Sequence, residues 1–225
     1  LGLYCGIVIL FFVQVLLRAV AGPCPVRLLW SGKGDEYCMS YTPDKIRNVM
    51  IAGHNGSGKT SLAEAILFAG KATDRLGRTD AGNTAMDYDP EEIRRSVSLS
   101  SAVAPVEFDG IKINLIDVPG LFDFELGLYE GIMAAESVLI TISGRSGVAV
   151  GSHKAYNLAT KAGKARMFYV SKLDAENADF YKVFEQLKTE FGPSVFPLIA
   201  PVVDGKTIPS GNPIEDKAHT YPGGK

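Results

Sequence analysis

The sequence predicts an α/β three-layer sandwich, built on a mostly parallel sheet with one antiparallel hairpin strand. Three observations predict it. From Arg47 onward, strand-like and helix-like blocks alternate, and strands separated by helices imply a parallel sheet covered on both faces. Asp109-Gly110 stands between two strand-like runs and marks a tight hairpin. A glycine-rich turn, GHNGSGKT (53–60), separates the first strand from the first helix.

The elements follow in order. RNVMIAG (47–53) is a short apolar run ending in Gly, a first strand. KTSLAEAILFAGK (59–71) places Leu62, Ile66 and Ala69 at helical spacing. Residues 72–96 are polar, contain Gly77, Gly82 and Pro90, and read as a long loop or mobile segment. SLSSAVAPVEF (98–108) reads as a strand that Pro105 confines to a sheet edge or a bulge. IKINLIDV (111–118) alternates cleanly, as a half-buried strand does. A helix around 126–135, a strand SVLITIS (137–143) and a helix around 150–162 come next. ARMFYVS (165–171) is expected to be another buried strand. ENADFYKVFEQLKTEFG (176–192) reads as an amphipathic helix with Phe180, Phe184, Leu187 and Phe191 on one side, closed by Gly192. SVFPLIAPVV (194–203) is expected to form a last strand.

Of the 225 residues 46% are hydrophobic and 21% charged, enough for one good-sized core, and the net charge of −2 gives no reason to expect DNA binding. Cys5, Cys24, Cys38 and the only tryptophan, Trp30, all precede Met39. A disulfide-held body is therefore not expected, and a reducing, cytoplasmic setting fits. Residues 1–17 are almost entirely apolar and would span ~25 Å as a helix, marginal for a bilayer. Three readings of residues 1–38 stay open: a membrane anchor through 1–22, a secretion signal, or an extension foreign to a protein that begins at Met39. The shift in composition at Met39 favours the third. The expected organisation is an apolar extension (1–38), a nucleotide-binding domain (39–203) and the start of a truncated insertion (204–225).

GHNGSGKT matches G-x-x-x-x-G-K-[ST] at each fixed position and lies between a strand and a helix, as phosphate binding requires. Gly53, His54, Asn55, Gly56, Ser57, Gly58, Lys59, Thr60 and Ser61 are the expected phosphate cradle. The glycines let backbone N–H groups turn inward, Lys59 supplies a point charge, and Thr60 offers a hydroxyl to Mg²⁺. The alternative is a Gly-rich turn that happens to hold Gly-Lys-Thr. The fold is thus expected to be that of a P-loop NTPase. In DVPGLFDF (117–124), Asp117 ends a strand where that plan places a Mg²⁺-holding carboxylate. Gly120 follows three residues later, with an N–H able to reach a γ-phosphate; Val118, Pro119 and Leu121 complete the turn. Taken alone, it is equally a plain strand exit. In SKLD (171–174), Asp174 is placed to accept from the ring N–H and amine of guanine, a donor pair that adenine lacks. Ser171 and Leu173 flank Lys172, whose stem would cover the base. A surface turn is the competing reading.

In this order, GHNGSGKT, RRSVSLSSA, DVPGLFDF and SKLD resemble the GTP-binding domain of translational GTPases, elongation factor G and its elongation factor G-like relatives above all. The resemblance runs from about Met39 to the end. It implies GTP and GDP as ligands, Mg²⁺ as cofactor and the ribosome as partner. It also implies that Ser98 binds Mg²⁺ with Thr60 and Asp117, in the position where the family carries Thr.

The sequence departs from the family at three other points. Ser171 replaces the Asn of the guanine motif. Gly56 stands where the phosphate loop usually has Asp. Leu121 replaces the His that positions the attacking water. Leucine neither donates nor accepts a hydrogen bond, so no catalytic side chain is named. Three functions follow: a ribosome-linked GTPase, a GTP-sensing module with little hydrolysis, or a membrane-tethered GTPase if residues 1–22 act as an anchor. The family's fifth guanine motif is not found before Lys225, so the fold is expected to lack its last strand and helix.

Overall fold

The computed structural model describes residues 41–201, 210–212 and 217–219. The expectations for residues 1–38, and for most of 204–225, lie outside them. Among the described residues, no helix is long and apolar enough to cross a membrane.

Five strands form the main sheet: β1 (Ile46–Gly53), β2 (Ala102–Phe108), β3 (Ile111–Asp117), β4 (Ser137–Ser143) and β5 (Ala165–Ser171). Their order is β2-β3-β1-β4-β5; β2 pairs antiparallel with β3, and all other pairs are parallel. Asp109 and Gly110 both take left-handed backbone angles, φ 50° and 73°. That is the turn which matches strand twist, and it sets Phe108 opposite Ile111. Pro105 lies on the edge strand β2, where its missing N–H costs no ladder bond to an outer neighbour.

The sheet is covered by α1 (Lys59–Ala69) on one face and by α3 (Glu125–Ala134), α4 (Val150–Lys161) and α5 (Phe180–Phe191) on the other, with a short α2 (Pro90–Arg95) between α1 and β2. Strand alternation divides the core. Val49 and Ile51 of β1 face Leu62, Ile66 and Leu67 of α1, together with Ile113 and Leu115 of β3. Met50 and Ala52 face the other way, packing with Ile140 of β4, Ile132 of α3, Ala155 of α4 and Val183 of α5. A fully buried Ile or Met contributes about 1.5–3 kcal/mol. The two clusters therefore fix which face each helix covers.

Five expectations change. Residues 72–96 are not a bare loop: they hold a 3-10 turn (Thr79–Ala81) and α2. Asp89 caps α2 and Glu92 returns the bond to the Asp89 backbone, with Pro90 in the first turn. That reciprocal box is a sequence signal, Asp-x-x-Glu before Arg94 and Arg95. The strand expected from 98 begins only at Ala102, because backbone N–H groups of Leu99 and Ser100 are taken by Glu92. β5 is an edge strand among the described residues, with Ala165 and Arg166 exposed and only Ser171 fully buried. Among the described residues of the strand expected over 194–203, only Ala200 and Pro201 are in a strand. Pro193, Pro197 and Pro201 cannot donate to a ladder. Only β6 (Ala200–Pro201) pairs, with β7 (Ser210–Asn212), itself paired to β8 (Lys217–His219), in a small antiparallel sheet.

α5 also buries a slightly different stripe from the one expected. Val183 and Leu187 are its buried residues, and Phe191 packs against Tyr156 and Phe168 with ring centroids 4.4 and 4.9 Å apart. Phe180 and Phe184 stack on each other instead.

Candidate functional site

The chain runs from β1 through α1 to β3 on one side of β1, then crosses to β4 on the other. Sheet order thus reverses at the C-terminal end of β1, where open α/β sheets hold their ligands. Gly53, Asp117, Ser143 and Ser171 end four neighbouring strands at this edge.

The 53–60 turn needs its glycines. Gly53 has φ 145°, and a Cβ there would lie 2.5 Å from the Thr141 carbonyl oxygen. Gly56 and Gly58 are left-handed, φ 72° and 90°. Gly58 gives α1 no side-chain cap. The first-turn N–H groups of this 11-residue helix therefore lack a side-chain acceptor and can meet an anion. Inside the turn, the Ser57 N–H donates to the His54 carbonyl, 3.2 Å. Thr141 donates to the Ala52 carbonyl (3.1 Å), which leaves its oxygen to accept from the Ser57 hydroxyl (2.7 Å). Thr141 is not among the residues the motif named. Its one visible signal is a hydroxyl inside the apolar run SVLITIS.

Lys59 is nearly buried and donates to the His54 carbonyl, 3.1 Å. A Cβ on Gly120 would sit 2.3 Å from its ammonium and 2.9 Å from the Asn55 backbone nitrogen. The phosphate loop and the 117–121 turn therefore meet at Lys59, and any larger residue at Gly120 would separate them. Val118 and Pro119 are buried behind this contact, and Leu121 is half-buried. Leu121 lines a small cleft with Gly53, Phe122, Glu125, Gly151 and Lys154. His54 and Phe122 close beside it, ring centroids 6.1 Å apart, while Asn55, Gly56 and Ser61 are exposed.

Asp117 is 2% exposed and accepts from the Thr60 hydroxyl at 2.7 Å through Oδ2; its buried Oδ1 has no protein partner among the described residues. Burial pushes the carboxyl up to about 7, against the pull of the Lys59 ammonium and the Thr60 hydroxyl. Burial likewise holds the Lys59 ammonium below its ordinary value, opposed by Asp117 and Asp87. Ser98, expected as a third metal group, does arrive here: its Oγ is 3.2 Å from Thr60 Oγ1. These hard oxygens, with one buried carboxylate oxygen unpartnered, fit Mg²⁺. Among the described residues, no group of three or more His, Cys, Asp or Glu could hold a metal by itself.

Three buried acids in this region were missed from the sequence. Asp87 accepts from the Ser98 hydroxyl at 2.7 Å, and burial raises its carboxyl. Glu64 on α1 accepts from the N–H groups of Ala85 and Met86, at 2.6 and 3.0 Å. Glu92 on α2 accepts from Leu99 and Ser100, at 2.8 and 3.0 Å. The partners that place Asp87 and Glu64 at the site, Ser98 for Asp87 and Ala85 and Met86 for Glu64, lie 11 to 22 residues away. Together they pin the 84–100 segment over the site. Glu64→Ala is expected to free two backbone donors and speed hydrogen exchange at Ala85 and Met86 by roughly 100-fold, since bonds to a charged acceptor contribute about 1.5–3 kcal/mol each. Exchange followed by mass spectrometry checks this; unchanged protection would refute the pinning.

At the far end, the Ser171 hydroxyl donates to the Ser57 carbonyl (2.6 Å), with the Ile142 carbonyl 3.2 Å away. The Lys172 ammonium donates to the Gly56 carbonyl, 2.7 Å. Both residues hold the phosphate loop, which the sequence did not reveal. Leu173 is half-buried and lies against Gly144, while Asp174 is exposed.

A strand, a phosphate-type loop feeding a helix N-terminus, and an Asp at the end of the adjacent strand define a P-loop nucleotide-binding protein. The particular family is then shown by comparison. Residues 44–220 match the family described as Elongation factor Tu GTP binding domain, and the chain belongs to it. It is similar to an Elongation factor G-like protein of Mycobacterium tuberculosis, 37% identical over 163 residues, 72% of this chain and 23% of that protein. Elongation factor G of Granulibacter bethesdensis is 31% identical over 183 residues, 81% of this chain and 26% of that protein. A crystal structure from Thermus thermophilus superposes with TM-score 0.75 and 36% identity, covering 80% of this chain and 27% of that one. The chain thus spans about a quarter of the length of these relatives. The family it belongs to is that of a GTP-binding domain.

Proposed function

We propose that this chain is the Mg²⁺-GTP switch of an elongation factor G-like protein that hydrolyses GTP on the ribosome, in the cytoplasm. One observation carries the reading: Lys59, Thr60, Ser98 and Asp117, from three separate segments, meet at the strand edge where the phosphate loop opens. In this reading, residues 53–61 cradle the phosphates, and Lys59 and the Gly120 N–H contact the outermost one. Thr60, Ser98 and Asp117 serve Mg²⁺, which when bound would neutralise charge between the phosphates. Asp174 selects guanine, while Ser171 and Lys172 brace the loop.

The chain's own groups bind and orient, but Leu121 itself can neither take up the nucleophile's proton nor orient it. In this reading unassisted hydrolysis is slow, and the ribosome speeds it. The test is single-turnover GTP hydrolysis by the full-length parent protein, with and without ribosomes. Phosphate release is expected to rise by about 100-fold or more with ribosomes, the scale of one general acid–base or water-positioning group. No stimulation sinks the ribosomal reading and leaves a GTP-binding domain.

A further inference from the structure

We propose that Thr141 is a positioning residue for nucleotide binding: its hydroxyl anchors that of Ser57 and so ties the phosphate loop to β4. This rests on the reading of residues 53–61 as a phosphate cradle.

Hydrogen bonds rather than packing hold the middle of this loop. Asn55 and Gly56 are exposed, and a Cβ on Gly56 would meet nothing within 4 Å. A Cβ on Gly58 would meet only atoms of Ser171, at 3.6 and 3.7 Å. Ser57 is buried between them, and each of its polar groups has a partner in a different segment. Its N–H donates to the His54 carbonyl within the loop (3.2 Å), and its carbonyl accepts from Ser171 at the end of β5 (2.6 Å). Its hydroxyl oxygen lies 2.7 Å from Thr141 Oγ1 on β4. The direction of that last bond follows from counting protons, since each hydroxyl has one hydrogen to give. Thr141 gives its own to the Ala52 carbonyl at 3.1 Å, so its oxygen accepts and Ser57 donates. Gly53 makes room for the pair: a Cβ there would lie 2.7 Å from Thr141 Oγ1 and 3.0 Å from Ser57 Oγ.

The strand itself needs no hydroxyl at this position. Thr141 is fully buried in the run SVLITIS, where valine has the same shape, and a buried hydroxyl costs free energy unless it is bonded. Its consequence is for the loop. A peptide group is planar and trans, so its carbonyl and N–H point to opposite sides. With the Ser57 carbonyl held toward Ser171, the Gly58 N–H points away from it, on the side left for a ligand. Without Thr141 Oγ1 the Ser57 hydroxyl is stranded in a buried place, and satisfying it requires Ser57 to turn, which moves the peptide groups on either side. A loop whose N–H groups converge on phosphate has to hold one shape, whereas an empty loop can relax. The lost bond therefore weakens the bound state more than the free one.

The experiment is stopped-flow release of a fluorescent GTP analogue from the full chain, with thermal melting alongside. Thr141→Val is expected to speed release about tenfold, the scale of one buried hydroxyl left without its partner. A fluorescent GDP analogue should leave faster by the same factor, because the loop holds phosphates common to both. Thr141→Ser keeps the hydroxyl and loses only the methyl group that fixes the rotamer, so release should stay within about threefold of the parent chain. Adding Ser57→Ala to Thr141→Val should speed release no further, because the stranded hydroxyl is then gone. Unchanged release in a folded Thr141→Val overturns the inference, whatever its melting temperature. So does a Thr141→Ser that releases as fast as Thr141→Val, or a double variant that releases faster than Thr141→Val. If Thr141→Val does not fold, Ser57→Ala replaces it; faster release by a smaller factor supports the inference, and parent-like release overturns it. A parent chain that binds neither analogue refutes the phosphate-cradle reading, and the inference with it.

Discussion

Lys59→Ala is expected to weaken GTP binding by at least about 100-fold. Charge-assisted hydrogen bonds contribute about 1.5–3 kcal/mol each, and an ammonium touching two phosphates makes more than one. The setting strengthens the effect. Lys59 is 6% exposed, so its field is little screened by water. It is also the contact between the phosphate loop and Gly120, and its loss leaves Asp117 and Asp87 without the cation that faces both. Repulsion between the two carboxylates would then add to the lost attraction for phosphate. A filter-binding titration checks this, with thermal melting to show that the variant folds. Unchanged affinity in a folded variant would falsify the whole site assignment. A variant that binds weakly but melts normally places the loss in the ligand contacts.

The second large effect is a change of base. Asp174→Asn is expected to lower GTP affinity roughly 100-fold and to raise affinity for xanthosine triphosphate, inverting the preference. A carboxylate accepts from the two adjacent donors of guanine. Xanthine carries a carbonyl in place of the amine and asks for one donor and one acceptor, which an amide supplies. The magnitude is set below the thousands-fold seen for fully buried polar readers because Asp174 is exposed. Competition between the two nucleotides for the labelled analogue is the measurement. Strict GTP selectivity in the variant would remove Asp174 from base recognition. Ser171 and Lys172 do not confound the test, since both are tied to the phosphate loop at Ser57 and Gly56.

Much of the fold was legible because its signals are local. The Asp109-Gly110 turn needs only two residues that accept left-handed angles, and it fixed the single antiparallel pair of the main sheet. GHNGSGKT needs only small residues and a lysine at set positions. α2 was legible in principle, since Asp89, Pro90 and Glu92 spell a capped helix start, but the surrounding polarity masked a helix of six residues. The strand expected over 194–203 failed for the opposite reason. Its apolar composition suggested burial, while its prolines removed the donors a ladder needs.

What the sequence determined by itself is the chemistry of single segments: a phosphate loop, an Asp-x-x-Gly turn, a carboxylate after β5, and an α/β order of elements. What the tertiary structure alone decided is which of those groups share a proton. Asp87 and Ser98 stand 11 residues apart, and Ser98 and Thr60 stand 38 apart. Ser171 and Ser57 are separated by 114. Hydrogen bonds act over about 3 Å of space, whereas motifs are read along the chain. Strand pairing in the order β2-β3-β1-β4-β5, with Met50 and Ile51 buried against opposite helices, converts one distance into the other.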